Sequence, residues 1–123
     1  MNRKIFGIES KFTRIIKACK NSIDGLAVAC KEEAAFRQIV LLVCIGLPLA
    51  FIVSNAWVER IILILPLALC VIVELLNTAI ENICDKVTTD YDLFIKKAKD
   101  LGSAAQFICQ ALLVLTWLTY FVM

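Results

Sequence analysis

Histidine is missing from all 123 residues, which removes the usual general base and the commonest metal ligand. Glycine and proline are scarce, with four and two residues. The glycines, at positions 7, 25, 46 and 102, are scattered, so no G-x-x-x-x-G-K-[ST] loop cradles a phosphate, and there is no H-R-D or D-F-G run. The six cysteines (19, 30, 44, 70, 84 and 109) form no CxxC pair or other ligand spacing. Cys44, Cys70 and Cys109 fall in apolar runs, where cysteine acts as a small hydrophobe, so free thiols are expected rather than a disulfide framework. Lysine and arginine stop before Gly102. A cleavable signal peptide is not expected either, because the basic start Asn2-Arg3-Lys4 lacks a long enough apolar continuation.

Apolar residues are abundant. At 61% hydrophobic residues and a mean hydropathy of +0.85, the chain is too apolar for an ordinary soluble domain. It reads as a single integral-membrane domain over 1–123. Charge is nearly balanced, 13 basic against 11 acidic residues, but unevenly placed: eight of the basic residues fall in 1–37, one in 54–60 and four in 84–100.

Residues 1–11 are short and polar and read as a frayed terminus. From 12 to 31, Phe12, Ile15, Ile16, Cys19, Ile23, Leu26 and Cys30 recur at helical spacing, with Arg14, Lys17, Lys20, Asn21, Asp24 and Lys31 between them. This is the pattern of an amphipathic helix lying in the membrane interface, weakened in the middle by Gly25. The first apolar run, Ile39 to Ser54, is slightly short for a bilayer core of ~30 Å, so the first span must borrow from Ala34–Gln38 and covers about 34–54. Ser54-Asn55-Ala56-Trp57 reads as a tight turn with Trp57 at the interface. The second span covers about 58–85. A polar linker, Val87 to Tyr91, and a basic helical lead-in, Asp92 to Lys99, precede a third span at about 100–122. Its small residues Gly102-Ser103-Ala104-Ala105 allow close helix approach, and Trp117 and Tyr120 mark its far interface. Pro48 and Pro66 lie inside spans one and two, where proline can kink a helix. The fold class is therefore all-α: a surface helix plus three transmembrane helices. The positive-inside rule puts the N-terminus in the cytoplasm and the C-terminus outside.

The stretch Glu74-Leu75-Leu76-Asn77-Thr78-Ala79-Ile80-Glu81 stands out in the second span. At 100° per residue, Glu74, Thr78, Glu81 and Asp85 share one narrow helix face, with Asn77 beside them. An ionisable side chain within a span costs at least ~2.5–3.5 kcal/mol on insertion scales, so such residues face a protein interior and carry function. The plainer alternative is a helix end emerging into water. It fits Asp85, fits Glu81 less well, and fails for Glu74, which has apolar residues on both sides. A three-span chain cannot hide Glu74, Asn77 and Glu81 from lipid on every side, so a homo-oligomer is expected.

This arrangement suits phosphoryl transfer. Glu33 and Glu81 at one membrane surface match the oxygen preference of Mg²⁺, which takes one or two carboxylates plus substrate phosphates. Arg14, Lys96, Lys97 and Lys99 offer positive charge to phosphate oxygens. A buried Glu74 can act as general base toward a hydroxyl arriving from the lipid side, and the protein otherwise positions groups and neutralises charge. Charge and spacing alone leave nucleotide binding weakly supported, since the usual phosphate loop is absent.

The runs Glu33-Ala34-Ala35-Phe36-Arg37-Gln38, Glu74 to Glu81, and Lys99-Asp100-Leu101-Gly102-Ser103-Ala104-Ala105 resemble the prokaryotic diacylglycerol kinase family, as does Phe12-Thr13-Arg14-Ile15-Ile16-Lys17-Ala18. The resemblance covers about residues 12 to 122. It implies a homotrimer with active sites shared between subunits, in the bacterial inner membrane, with the C-terminus periplasmic. It implies ATP-dependent, Mg²⁺-dependent phosphorylation of 1,2-diacyl-sn-glycerol to phosphatidic acid, with no nucleic acid partner. By that resemblance Glu74 is the proton acceptor, Asn77 lines the active site, and Glu33 and Glu81 hold metal and ATP. Arg14, Asp90, Tyr91, Asp92, Lys99 and Asp100 belong to the nucleotide site, and Ala35, Phe36, Arg37 and Ser103 lie near the lipid substrate.

Cys19 stands where relatives tend to carry alanine, Lys20-Asn21 replaces a glycine–aromatic pair of some members, and the surface helix lacks the tryptophans of others. A second branch of the family resembles undecaprenol kinases; the Glu32–Gln38 and Gly102–Ala105 runs look closer to the diacylglycerol branch. Two readings of other classes compete. A small proton-coupled transporter would use Glu74 as proton carrier, but it needs access from both sides. An assembly subunit would use these polar residues as helix glue and would tolerate Glu74→Gln.

Overall fold

The computed structural model describes the backbone from Arg3 and the side chains from Ser10, in each case to Met123. The described residues form four helices and no strands: α1 (Arg3–Glu32), α2 (Ala34–Val53), α3 (Trp57–Val87) and α4 (Leu93–Val122). Residues 1–33 and 34–123 are two separate compact units.

The first unit is α1. Its backbone is helical from Arg3, so the segment expected to fray is helical from that point; Met1 and Asn2 lie outside the described residues. Gly7 and Gly25 each weaken it, yet the helix continues from the amphipathic core of 12–31 back to Arg3. Its apolar stripe, including Phe12, Ile15, Ile16 and Ile23, is exposed, as suits a helix lying on a membrane. The helix ends at Glu32, and the N–H of the next residue, Glu33, still donates to Ala29 O at 3.0 Å.

The second unit is built around α3. All three of its helices are long and apolar enough to cross a membrane, and this is a membrane protein. α2 starts at Ala34 and so takes in the residues that the short apolar run had to borrow. α2 and α3 run through Pro48 and Pro66 without interruption. α3 packs on both neighbours, more extensively on α4. Their common core is Ile39 of α2, Leu67 and Cys70 of α3, and Cys109 and Leu113 of α4. Gly46 lets α2 approach α3 closely: a Cβ there would meet Leu67 Cδ1 at 2.7 Å. All six cysteines are free thiols.

The α2–α3 end of this unit is tightly tied. Glu59, in the first turn of α3, accepts from Asn55 N–H at 2.8 Å, a return bond of the capping-box kind. Arg60 Nε donates to Ser54 Oγ at 2.9 Å. The Arg60 guanidinium also lies 4.8 Å from the Trp57 ring centroid and 5.3 Å from that of Phe51. Tyr120 Oη, arriving from α4, lies 2.8 Å from Val53 O and 2.9 Å from Glu59 Oε2. Trp117 Nε1–H donates to Leu63 O at 3.1 Å. These bonds fix the antiparallel register of α3 and α4, and so decide which polar residues meet at the opposite end.

Candidate active site

Register brings the polar face of α3 against α4. Glu74 is buried, at 6% exposure, in the middle of an apolar helix. Asn77 and Thr78 are buried one turn further on, and Glu81 and Asp85 follow on the same face toward the end of α3. Glu81 is half-buried and Asp85 exposed. Burial thus decreases along the face, from an enclosed carboxylate to open ones.

Opposite Asn77 the α4 backbone comes close because residue 102 is glycine. A Cβ at Gly102 would run into Asn77 Oδ1. Nearer the end of α3, Lys99 Nζ donates to Asp85 Oδ1 at 2.7 Å, tying the first turns of α4 to the last turns of α3. Lys99 also lies in the field of Glu81. Lys96 pairs with Asp100 at 2.6 Å, one helical turn away.

Asp90, Tyr91, Asp92, Ile95, Lys96, Lys99 and Asp100 line a groove of about 330 Å³ beside this end. Five residues expected at a nucleotide site, Asp90, Tyr91, Asp92, Lys99 and Asp100, therefore share one groove. Asp92 also caps α4, because its Oδ1 accepts from Phe94 N–H at 2.9 Å and Ile95 N–H at 3.1 Å. Asp90 N–H donates to Thr88 Oγ1 at 3.1 Å, which shapes the turn between the helices.

The remaining expected residues do not line the groove. Arg14 is on α1, exposed, and Glu33 is at the end of the first unit. Ala35 and Arg37 are exposed on the first turn of α2 and Phe36 is buried; Ser103 is exposed on α4. Among the described residues no group of three or more His, Cys, Asp or Glu side chains forms a metal cluster. Glu81 offers a half-buried hard carboxylate, in whose field Lys99 of the groove lies; that donor type fits Mg²⁺, which needs few protein ligands when phosphates complete its shell.

Two residues of this region escaped sequence reading. Gln106 is buried at 8% exposure, and neither of its amide atoms has a hydrogen-bond partner; Asn77 Oδ1 is likewise unpartnered. Gln110 follows one turn beyond Gln106. The signal was present, since two glutamines spaced i, i+4 interrupt an otherwise apolar span.

Comparison with known proteins identifies the family. The sequence model of prokaryotic diacylglycerol kinases matches residues 20–121. The chain belongs to the prokaryotic diacylglycerol kinase family. It is therefore an enzyme, a lipid kinase. A diacylglycerol kinase of Pseudomonas aeruginosa is 40% identical over 119 residues, 97% of each chain. One from Helicobacter pylori strain 26695 is 44% identical over 109 residues, 89% of this chain and 85% of its own. One from Escherichia coli K12 is 42% identical over 106 residues, 86% of this chain and 87% of its own. All of the polar α3 face and the groove lie within the family match.

Proposed function

We propose that this protein transfers the γ-phosphoryl group of ATP to the free hydroxyl of 1,2-diacyl-sn-glycerol, giving phosphatidic acid and ADP at the cytoplasmic membrane face. The observation that carries the reading is the gradient along α3. A buried carboxylate, Glu74, leads along one helix face to half-buried Glu81 and exposed Asp85, and Asp85 is tied to Lys99 of the Asp90–Asp100 groove. Such a path joins a lipid-borne alcohol to a water-borne nucleotide.

In this mechanism the groove receives the nucleotide, with Lys99 and Arg14 neutralising phosphate charge and Asp90, Tyr91, Asp92 and Asp100 positioning it. Glu33 and Glu81 are the residues that would hold Mg²⁺ with the triphosphate; the ion, when bound, offsets charge on the phosphate oxygens. Glu74 takes the proton of the lipid hydroxyl as its oxygen bonds to the γ-phosphorus and the bond to ADP breaks. Asn77 lines this centre, and Ala35, Phe36, Arg37 and Ser103 lie toward the lipid. Residues 1–123 act as one membrane domain in a homotrimer, which shields the polar α3 face from lipid. The N-terminus is cytoplasmic and the C-terminus periplasmic, by the charge of the flanking segments.

Transfer of labelled phosphate from ATP to 1,2-dioleoylglycerol or undecaprenol in mixed micelles tests the reading, with Mg²⁺ or with EDTA. Metal-dependent labelling of diacylglycerol, lost in Glu74→Gln, is expected. Labelling of undecaprenol alone would keep the mechanism and change the substrate. Labelling of neither lipid by folded protein would overturn the reading and return proton-coupled transport to the front.

A further inference from the structure

Among the described residues, Gln106 is the one whose side chain is buried in the α3–α4 seam with both donor and acceptor unused. Leaving a buried polar group unpaired costs about 1–3 kcal/mol, and an apolar residue of the same shape would avoid that cost. Within a span the cost is no smaller, because lipid offers no replacement partner. The position of this amide follows from the register. Asn77 meets Gly102, and the two helices run antiparallel. Gln106, one turn beyond Gly102, therefore comes level with Glu74, one turn before Asn77. Ser103, Gln106 and Gln110 fall within about 60° of one another around α4, and Ser103 and Gln110 are exposed. A polar stripe thus leads from the lipid side to the level of Glu74.

We propose that Gln106 is a substrate-positioning residue that holds the acceptor hydroxyl of the lipid alcohol beside Glu74. The proposal rests on the reading of Glu74 as base. The chemistry is complementary: Nε2–H donates to the hydroxyl oxygen, while Oε1 competes for nothing that Glu74 needs once Glu74 takes the hydroxyl proton. A carboxamide is neutral and does not compete as a base. Three rotatable side-chain bonds give its amide reach between the seam and the stripe.

The test compares wild type with Gln106→Met, which keeps length and loses both hydrogen-bonding atoms, and with Gln106→Leu should methionine pack badly. In mixed micelles the KM for 1,2-dioleoylglycerol should rise roughly three- to tenfold, the equivalent of one hydrogen bond, with the KM for ATP unchanged. A second readout needs no turnover. The rise in melting temperature caused by the lipid is compared with that caused by its analogue carrying hydrogen in place of the hydroxyl. Wild type should favour the hydroxyl lipid, and Gln106→Met should favour it less, keeping only the preference that Glu74 supplies. An unchanged lipid KM, or an equal loss of response to both lipids, would overturn the proposal and leave Gln106 a packing residue. If wild type transfers no phosphate yet still favours the hydroxyl lipid through Gln106, the kinase reading fails and the binding role stands.

Discussion

The two ends of the α3–α4 pair are built on opposite rules. At the Trp57 end the polar groups that face the joint are paired: Arg60 with Ser54 and two rings, Tyr120 with Val53 and Glu59, Trp117 with Leu63. Nearer the other end, Asn77 Oδ1 and both amide atoms of Gln106 are enclosed without partners, and the ion pairs lie in the open. Satisfied polar groups rigidify a joint, whereas unsatisfied ones are tolerated where a ligand completes them. The comparison teaches that one end sets the register and the other uses it.

The largest expected effect comes from the chemical centre. Glu74→Gln should lower kcat by about 10²–10⁴-fold, the worth of a positioned base, with the melting temperature little changed; phosphate transfer and a thermal melt measure the two. Gly102→Ala should act on both quantities, because its new Cβ displaces Asn77 Oδ1. Overpacking of that kind costs about 1–3 kcal/mol, and activity should fall with it, as denaturation in mixed micelles and a paired assay would show. Trp117→Phe attacks the other end. It removes one hydrogen bond, worth about 1 kcal/mol, so stability should drop while kcat and both KM values hold. Lys99→Met should raise the KM for ATP several-fold and leave the lipid KM unmoved, measured by varying each substrate in turn. The smallest effect on stability should follow Lys96→Ala, which breaks an exposed i,i+4 pair worth about 0.3–0.5 kcal/mol, as a thermal melt would show. Were Trp117→Phe to impair catalysis as much as stability, the division of labour between the ends would be wrong.

Much of this was legible in the chain. Three apolar runs announce three long helices because lipid-facing residues leave little room for anything else, and the alternation of Phe12, Ile15, Ile16 and Cys19 announces an amphipathic fourth. Glu74 is legible for the same reason, as a charge where none is tolerated idly. The extension of α1 back to Arg3 was missed although Ile5 and Ile8 continue the helical spacing of Phe12, Ile15 and Cys19, because the charged residues between them and Gly7 masked it. Asp92 read as a nucleotide contact although an acidic residue opening a helix is also a cap signal. The Lys99–Asp85 pair joins residues 14 apart across a turn, beyond what helical spacing predicts. Gln106 stands out as an amide in an apolar span, but its burial was hidden, because it depends on the close packing of the small residues beside it against α3.

The unbroken length of α4 has a mechanical consequence. Thirty residues make a rod of about 45 Å, while the hydrocarbon layer takes up about 30 Å. Two to three turns, carrying Lys96, Lys99 and Asp100, therefore stand clear of the lipid, and the aromatic residues at the far end fix how far. The groove thus sits at a height set by bilayer thickness. A thicker membrane must draw it toward the headgroups or straighten the rod, and a thinner one must lift or tilt it. The helix is a gauge as well as a wall, and the affinity for nucleotide should vary between short-chain and long-chain phosphatidylcholine bilayers even where the chemistry at Glu74 is unchanged.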